Sequence, residues 1–198
     1  MALKRRTLIL AGLAAAAVSG CSAEPRVELL KGTVAYVAQN PDHPLAGGAA
    51  AASQQIGWRL LAQGDRTGNQ LVSPASLCAA LALVGLGASG ASATSLDELF
   101  GMNSEDRAAG IGALRAGLTD YASLPESIDA KNPPEKPIIN LASHLLICSD
   151  VQPKSSFLDA IRKHFDASVE KVKNSEAQAS LDAWAKKNTA GLIEQSGI

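Results

Sequence analysis

Cysteine is scarce in this chain of 198 residues. Cys21, Cys78 and Cys148 stand alone, and without a CxxC pair neither a disulfide scaffold nor a thiolate zinc site can be built. Histidine is equally thin: His43, His144 and His164 lie far apart with no ligand-spaced pair, so no metal site is expected. Charged residues make up 19%, the formal net charge is −1, and no segment gathers the lysines and arginines that would neutralise a row of phosphates. That argues against nucleic acid as a partner. A GxSxG elbow, a P-loop and a dinucleotide fingerprint are also missing, so the residues offer no catalytic constellation and require no cofactor. What is present is apolar, 46% of the chain, enough for a buried core in a length that suits one domain or the first part of a larger one.

At the N-terminus, Lys4, Arg5 and Arg6 precede an uncharged run from Thr7 to Ser19, the pattern of a targeting segment that takes no part in the fold. A stable membrane span needs about 20 apolar residues, more than this run holds. Its end, Val18-Ser19-Gly20-Cys21, resembles the bacterial lipobox, in which a cysteine at the start of the mature chain receives a diacylglyceryl group. The resemblance implies residues 1–20 as a signal peptide, Cys21 as a lipid anchor, and an extracytoplasmic lipoprotein attached to a membrane. The alternative is an ordinary secretion signal in which Cys21 falls by coincidence. Lys4-Arg5-Arg6-Thr7-Leu8 partly resembles a twin-arginine signal as well, which would mean export after folding. Loss of residues 1–20 removes three basic residues and leaves 15 against 19 acidic ones, so attachment would rest on lipid rather than on charge.

Residues 21–48, rich in proline and ending in Gly47-Gly48, read as a flexible tether. A helix is expected from Ala49, with Ile56, Leu60 and Gln63 on one face and Gly64-Asp65 at its end. Gln70-Leu71-Val72 reads as extended. Ser73-Pro74 then opens a helix to about Ala88, the serine hydroxyl capping an orphan amide and proline having none to waste. This helix is apolar on every side and is expected to be buried all round. Thr94 or Ser95 caps a short helix through Leu96, Leu99 and Phe100 that Gly101 ends, and Ser104–Tyr121 continues as an amphipathic helix. After a proline-rich loop, 123–137, both faces of Pro137–Cys148 are apolar, which predicts a strand covered on both sides. Phe157, Ile161 and Phe165 mark a helix over 153–165, Val169–Lys173 a short strand, and Ala177, Leu181, Trp184 and Ala185 the inner face of a closing helix. The order gives an α+β fold.

Two local patterns bear on chemistry. Ser168-Val-Glu-Lys171 has the SxxK spacing of penicillin-recognising acylases, but in a period-2 segment the serine and lysine point to opposite faces, and no KTG accompanies them. Cys78 has no neighbouring cation to activate it and reads as a core residue, and His144 as a core or rim residue of its strand.

Asn69-Gln-Leu-Val-Ser73-Pro74-Ala-Ser76-Leu77, followed by Ala82-Leu83-Val84-Gly85-Leu86-Gly87-Ala88 and Thr94, resembles the N-terminal signature of the serpins. Downstream, Phe157, the turn His164-Phe165-Asp166-Ala167, Trp184 and Thr189-Ala190-Gly191-Leu192-Ile193 fall where that family has its phenylalanines, helix tryptophan and T-x-G-x-I ending. Departures occur at Ile56 and Asn174, where the family usually has Phe, at Asp182, where it has Asn, and at Ala185, where it has Val.

The resemblance implies a serpin-like incomplete domain over 49–198, with N-terminal helices packed on part of a central β-sheet. It implies a serine protease as partner of a full-length form, trapped when a cleaved loop inserts into the sheet; this is not an enzyme. Ser73 and Ser76, with Asn69 and Pro74, match the shutter, where small hydroxyls bond beneath the opening strands. Phe157, Phe165, Trp184, Thr189 and Gly191 match structural positions of the family. A serpin is roughly twice this length, so the expectation is a chain truncated before the reactive loop; a noninhibitory remnant or cell-surface interaction domain is the alternative. An unpaired strand edge would make residues 22–198 self-associate, aggregate or remain molten.

Overall fold

In the computed structural model the described residues are 27–197, apart from 66, 130 and 133; residues 1–20, expected to be a signal peptide, and Cys21 lie outside them. Six α-helices are described: α1 (Ala46–Gln63), α2 (Pro74–Gly85), α3 (Gly90–Phe100), α4 (Ser104–Ala116), α5 (Ser155–Phe165) and α6 (Ala177–Asn188). Three strands accompany them: β1 (Glu28–Leu30), β2 (His144–Ile147) and β3 (Ser168–Lys171). The fold is α+β, helices on a small sheet. Helix α5 is the crossover that returns the chain from β2 to a parallel β3, and β1 runs antiparallel along the other edge of β3, giving the order β1-β3-β2.

The core lies where α1, α2 and α4 meet and extends under α5 to the sheet, through Ile56, Cys78, Leu83, Phe100, Ile111, Ile161, Phe165 and Val169. Helix α1 contributes a stripe of small residues, Ala49, Ala52, Ser53 and Gly57, beside the larger Ile56, and the small ones let α4 approach closely. A Cβ at Gly110 would stand 2.9 Å from the Ala49 Cβ and 3.0 Å from the Leu45 carbonyl oxygen. At the end of α3, Gly101 takes φ +64°, the left-handed cap expected of a glycine there.

Several expectations are corrected. The segment read as a tether is docked from residue 28 onward: Glu28–Leu30 satisfy the outer edge of β3, Thr33 donates to Asp159 of α5, and the Val37 amide donates to the Lys163 carbonyl. A three-residue strand is too short to show its period. Helix α1 starts at Ala46, and Leu60 and Gln63 are exposed, because its inner face, Ile56 apart, is built of alanine, serine and glycine rather than of larger apolar residues. Helix α2 is not buried all round: Val84 is 53% exposed and Ser76 and Ala80 are exposed, since α2 packs chiefly on α5's neighbour α4, on α1 and on α3, all on its other side. Helix α3 begins at Gly90, inside which the Thr94 hydroxyl donates back to the Gly90 carbonyl instead of capping. Helix α4 stops at Ala116 and is capped by Asn103, whose side chain accepts from the amides of Glu105 and Asp106. The long strand shrinks to His144–Ile147 and is half-buried, because β3 offers only four residues to pair with it.

Candidate functional site

The start of α2 is the first place where sequence-matched residues gather. Ser73 makes no side-chain cap; its hydroxyl donates to Ser76 Oγ at 2.8 Å, and both serines are exposed. Pro74, at the first helical position, stands against α1, where a Cβ on Gly57 would meet its ring at 2.5 Å. Asn69 lies in the exposed loop before it. Ser73, Ser76, Ala80 and Val84, spaced by three and four, form one exposed stripe along α2. The stripe leads into an open groove of about 980 Å³ walled by Val84 and Leu86, by Leu145–Ile147 of β2 and by Phe157 of α5. Phe157 packs its ring on Gly87 and is half-buried.

The second gathering is beneath α6. Phe165 is buried, and Arg115 lies over its ring, 5.6 Å from the centroid, while donating to the carbonyls of Phe165 and Leu141 at 3.1 Å each. Burial draws the Arg115 guanidinium below its ordinary range. Trp184 stacks on His144 with ring centroids 5.3 Å apart. His144 Nδ1 is 3.0 Å from Ser168 Oγ, its Nε2 is 3.6 Å from Glu170, and the Ser180 hydroxyl donates to Glu170 at 3.1 Å. Burial holds the imidazole below its usual range, with the Glu170 carboxylate opposing. His144 is thus a rim residue between strand and helix. Ser168 and Lys171 lie three apart on β3, so the SxxK pair faces opposite ways.

Past α6, Thr189 Oγ1 donates to the Ala185 carbonyl at 2.8 Å and accepts from the Ile193 amide at 3.0 Å. Gly191, at φ +80°, donates its amide to the Lys186 carbonyl at 2.8 Å. Thr189 and Gly191 therefore close the helix end and hold no ligand-binding geometry. Asp182 accepts from the Ser196 amide and hydroxyl and from Gln178, and the Ser196 bonds hold its carboxyl below the usual range. Cys78 is fully buried, and burial pushes its thiol up. Among the described residues no cluster of three or more His, Cys, Asp or Glu could hold a metal, and no helix is long and apolar enough to cross a membrane.

Sequence reasoning missed the Ser168–His144–Glu170–Ser180 chain, which joins residues up to 36 positions apart, and the buried Arg107. The Asn103 cap carried a visible signal, two acidic residues in the first turn.

A family model described as serpin (serine protease inhibitor) matches residues 52–196. Serine protease inhibitor 42Dd of Drosophila melanogaster is 26% identical over 149 residues, which are 74% of this chain and 37% of that protein. Serpin-Z7 of Hordeum vulgare is 29% identical over 131 residues, 64% of this chain and 32% of that one. Among solved structures, the thermophilic serpin Tengpin in its native state superposes with a TM-score of 0.60 at 20% identity, over 84% of this chain and 40% of that chain. The chain thus spans only about a third to two fifths of the length of these relatives.

Proposed function

Because this chain belongs to the serpin family, we propose that it supplies the helical base and first strands of a serpin-type inhibitor of serine proteases, exported and held at a membrane by lipid on Cys21. The observation that supports this most is the unpartnered stripe Ser73, Ser76, Ala80 and Val84, running into the groove beside β2. Among the described residues no strand pairs with the outer side of β2. Small and apolar residues next to an open strand edge form a surface on which further strands of a sheet settle. In this reading Ser73 and Ser76 bond strands laid over them, and the protease bait belongs to a segment outside residues 49–197. The same open edge gives this chain alone a route to self-association.

The test uses the gene with the coding DNA that follows the Ile198 codon. Its product and the 198-residue chain are incubated with trypsin-like and subtilisin-like serine proteases and run on denaturing gels. An SDS-stable adduct from the longer product only supports the proposal. An adduct from the 198-residue chain, or ordinary cleavage of the longer product, overturns it. Labelled palmitate tests the anchor separately: incorporation should vanish in Cys21→Ser, and undiminished labelling of that variant refutes it.

A further inference from the structure

Helix α6 rests on the sheet through a small polar cluster above an open cavity of about 710 Å³. Two contacts reach across: Trp184 stacked on His144, and the Ser180 hydroxyl donating to Glu170 at 3.1 Å. His144 sits between them. Its side chain is 3% exposed, and its buried Nε2 has no hydrogen-bond partner although the Glu170 carboxylate that Ser180 holds is 3.6 Å away. From β3 the imidazole faces Ser168 and Glu170, and from α6 it faces Trp184. Besides Glu170, the charged groups on the cavity walls are Arg115 of α4, Lys187 of α6 and Asp166, the last paired with Arg162.

We propose that His144 is a proton-operated latch for α6. With the imidazole neutral, Glu170 stays bonded to Ser180 and the helix is closed on the sheet. When the ring takes a proton from solvent, its Nε2–H and new positive charge draw Glu170 toward β2. The Ser180 bond breaks and α6 is released. One carboxylate oxygen, Glu170 Oε2, is shared between the two: the Ser180 hydroxyl holds it at 3.1 Å and His144 Nε2 stands 3.6 Å from it, so the two groups compete for it. Burial favours the neutral ring. The sign follows: a histidine whose folded-state pKa is depressed contributes stability that is whole above about pH 6.5 and is lost as pH falls toward the folded-state value.

Peptide-resolved hydrogen exchange on the 198-residue chain at about pH 7.5 and 5.5, corrected for intrinsic exchange, tests this. Amides of 177–188 should lose protection of order tenfold at the lower pH, while those of α3, residues 90–100, which carry no histidine, keep theirs. His144→Gln should abolish the difference. Glu170→Gln, which still accepts from Ser180 but carries no charge to be drawn, should diminish it and serves if the first variant does not fold. Equal protection of α6 at both pH values, a loss of the same size in either variant, or a loss shared equally by α3 would overturn the latch.

Discussion

Arg107 and Asp97 form an ion pair 2.9 Å long whose two ends sit in different media: the guanidinium is fully buried, while the carboxylate is 42% exposed. Arg107 comes from α4, Asp97 from α3, and the cation also donates to the Met102 carbonyl and lies over the Phe100 ring. Its Nε and Nη2 are buried with no hydrogen-bond partner. The asymmetry makes the pair's worth depend on which end is removed. Asp97→Ala leaves a buried charge and should cost about 1–3 kcal/mol, below the cost in a fully buried pair because Asp97 is partly wet. Arg107→Met, which removes the charge and fills much of the space, should cost less than Asp97→Ala. Urea unfolding followed by circular dichroism checks the order.

Gly110 should not tolerate bulk. Gly110→Val forces a side chain between α4 and the start of α1, against the Ala49 Cβ and the Leu45 carbonyl. Overpacking of this kind costs about 1–3 kcal/mol, read as a lower urea midpoint. A valine variant as stable as the parent would show that the helices do not meet there.

The docked segment before α1 guards the outer edge of β3. Deleting residues 27–37 removes β1 and the bonds to Asp159 and Lys163, so it exposes backbone donors and acceptors of β3. Light scattering should then rise at a given concentration. Asp159→Ala, which removes only exposed hydrogen bonds, should cost under about 1 kcal/mol.

The two described cysteines should differ in reactivity. Cys78 is buried with its thiol pushed up, whereas Cys148 is half-buried beside β2. Alkylation followed by peptide mass analysis should label Cys148 in the folded chain and Cys78 only after unfolding.

Much of the architecture was legible where a pattern was long or punctuated. The i, i+4, i+8 stripe of Phe157, Ile161 and Phe165 gave α5, Gly101 gave the end of α3, and the missing cation beside Cys78 gave its place in the core. What could not be read has physical causes. A three-residue strand such as β1 has no period to show, and a helix face built from Ala49, Ala52 and Ser53 carries little hydropathy contrast. The exposed side of α2 could not be read either: Val84 is as apolar as a buried residue, and only the missing neighbour leaves it open. The His144–Trp184 stack joins residues 40 apart and leaves no local trace.

Sedimentation velocity of the unlipidated 198-residue chain across a concentration series tests the open surface most directly. The account predicts association that grows with concentration and that Val84→Lys, a charge placed at the mouth of the groove, shifts back toward monomer. A chain that stays monomeric throughout, with a sharp cooperative melt of its own, would contradict it.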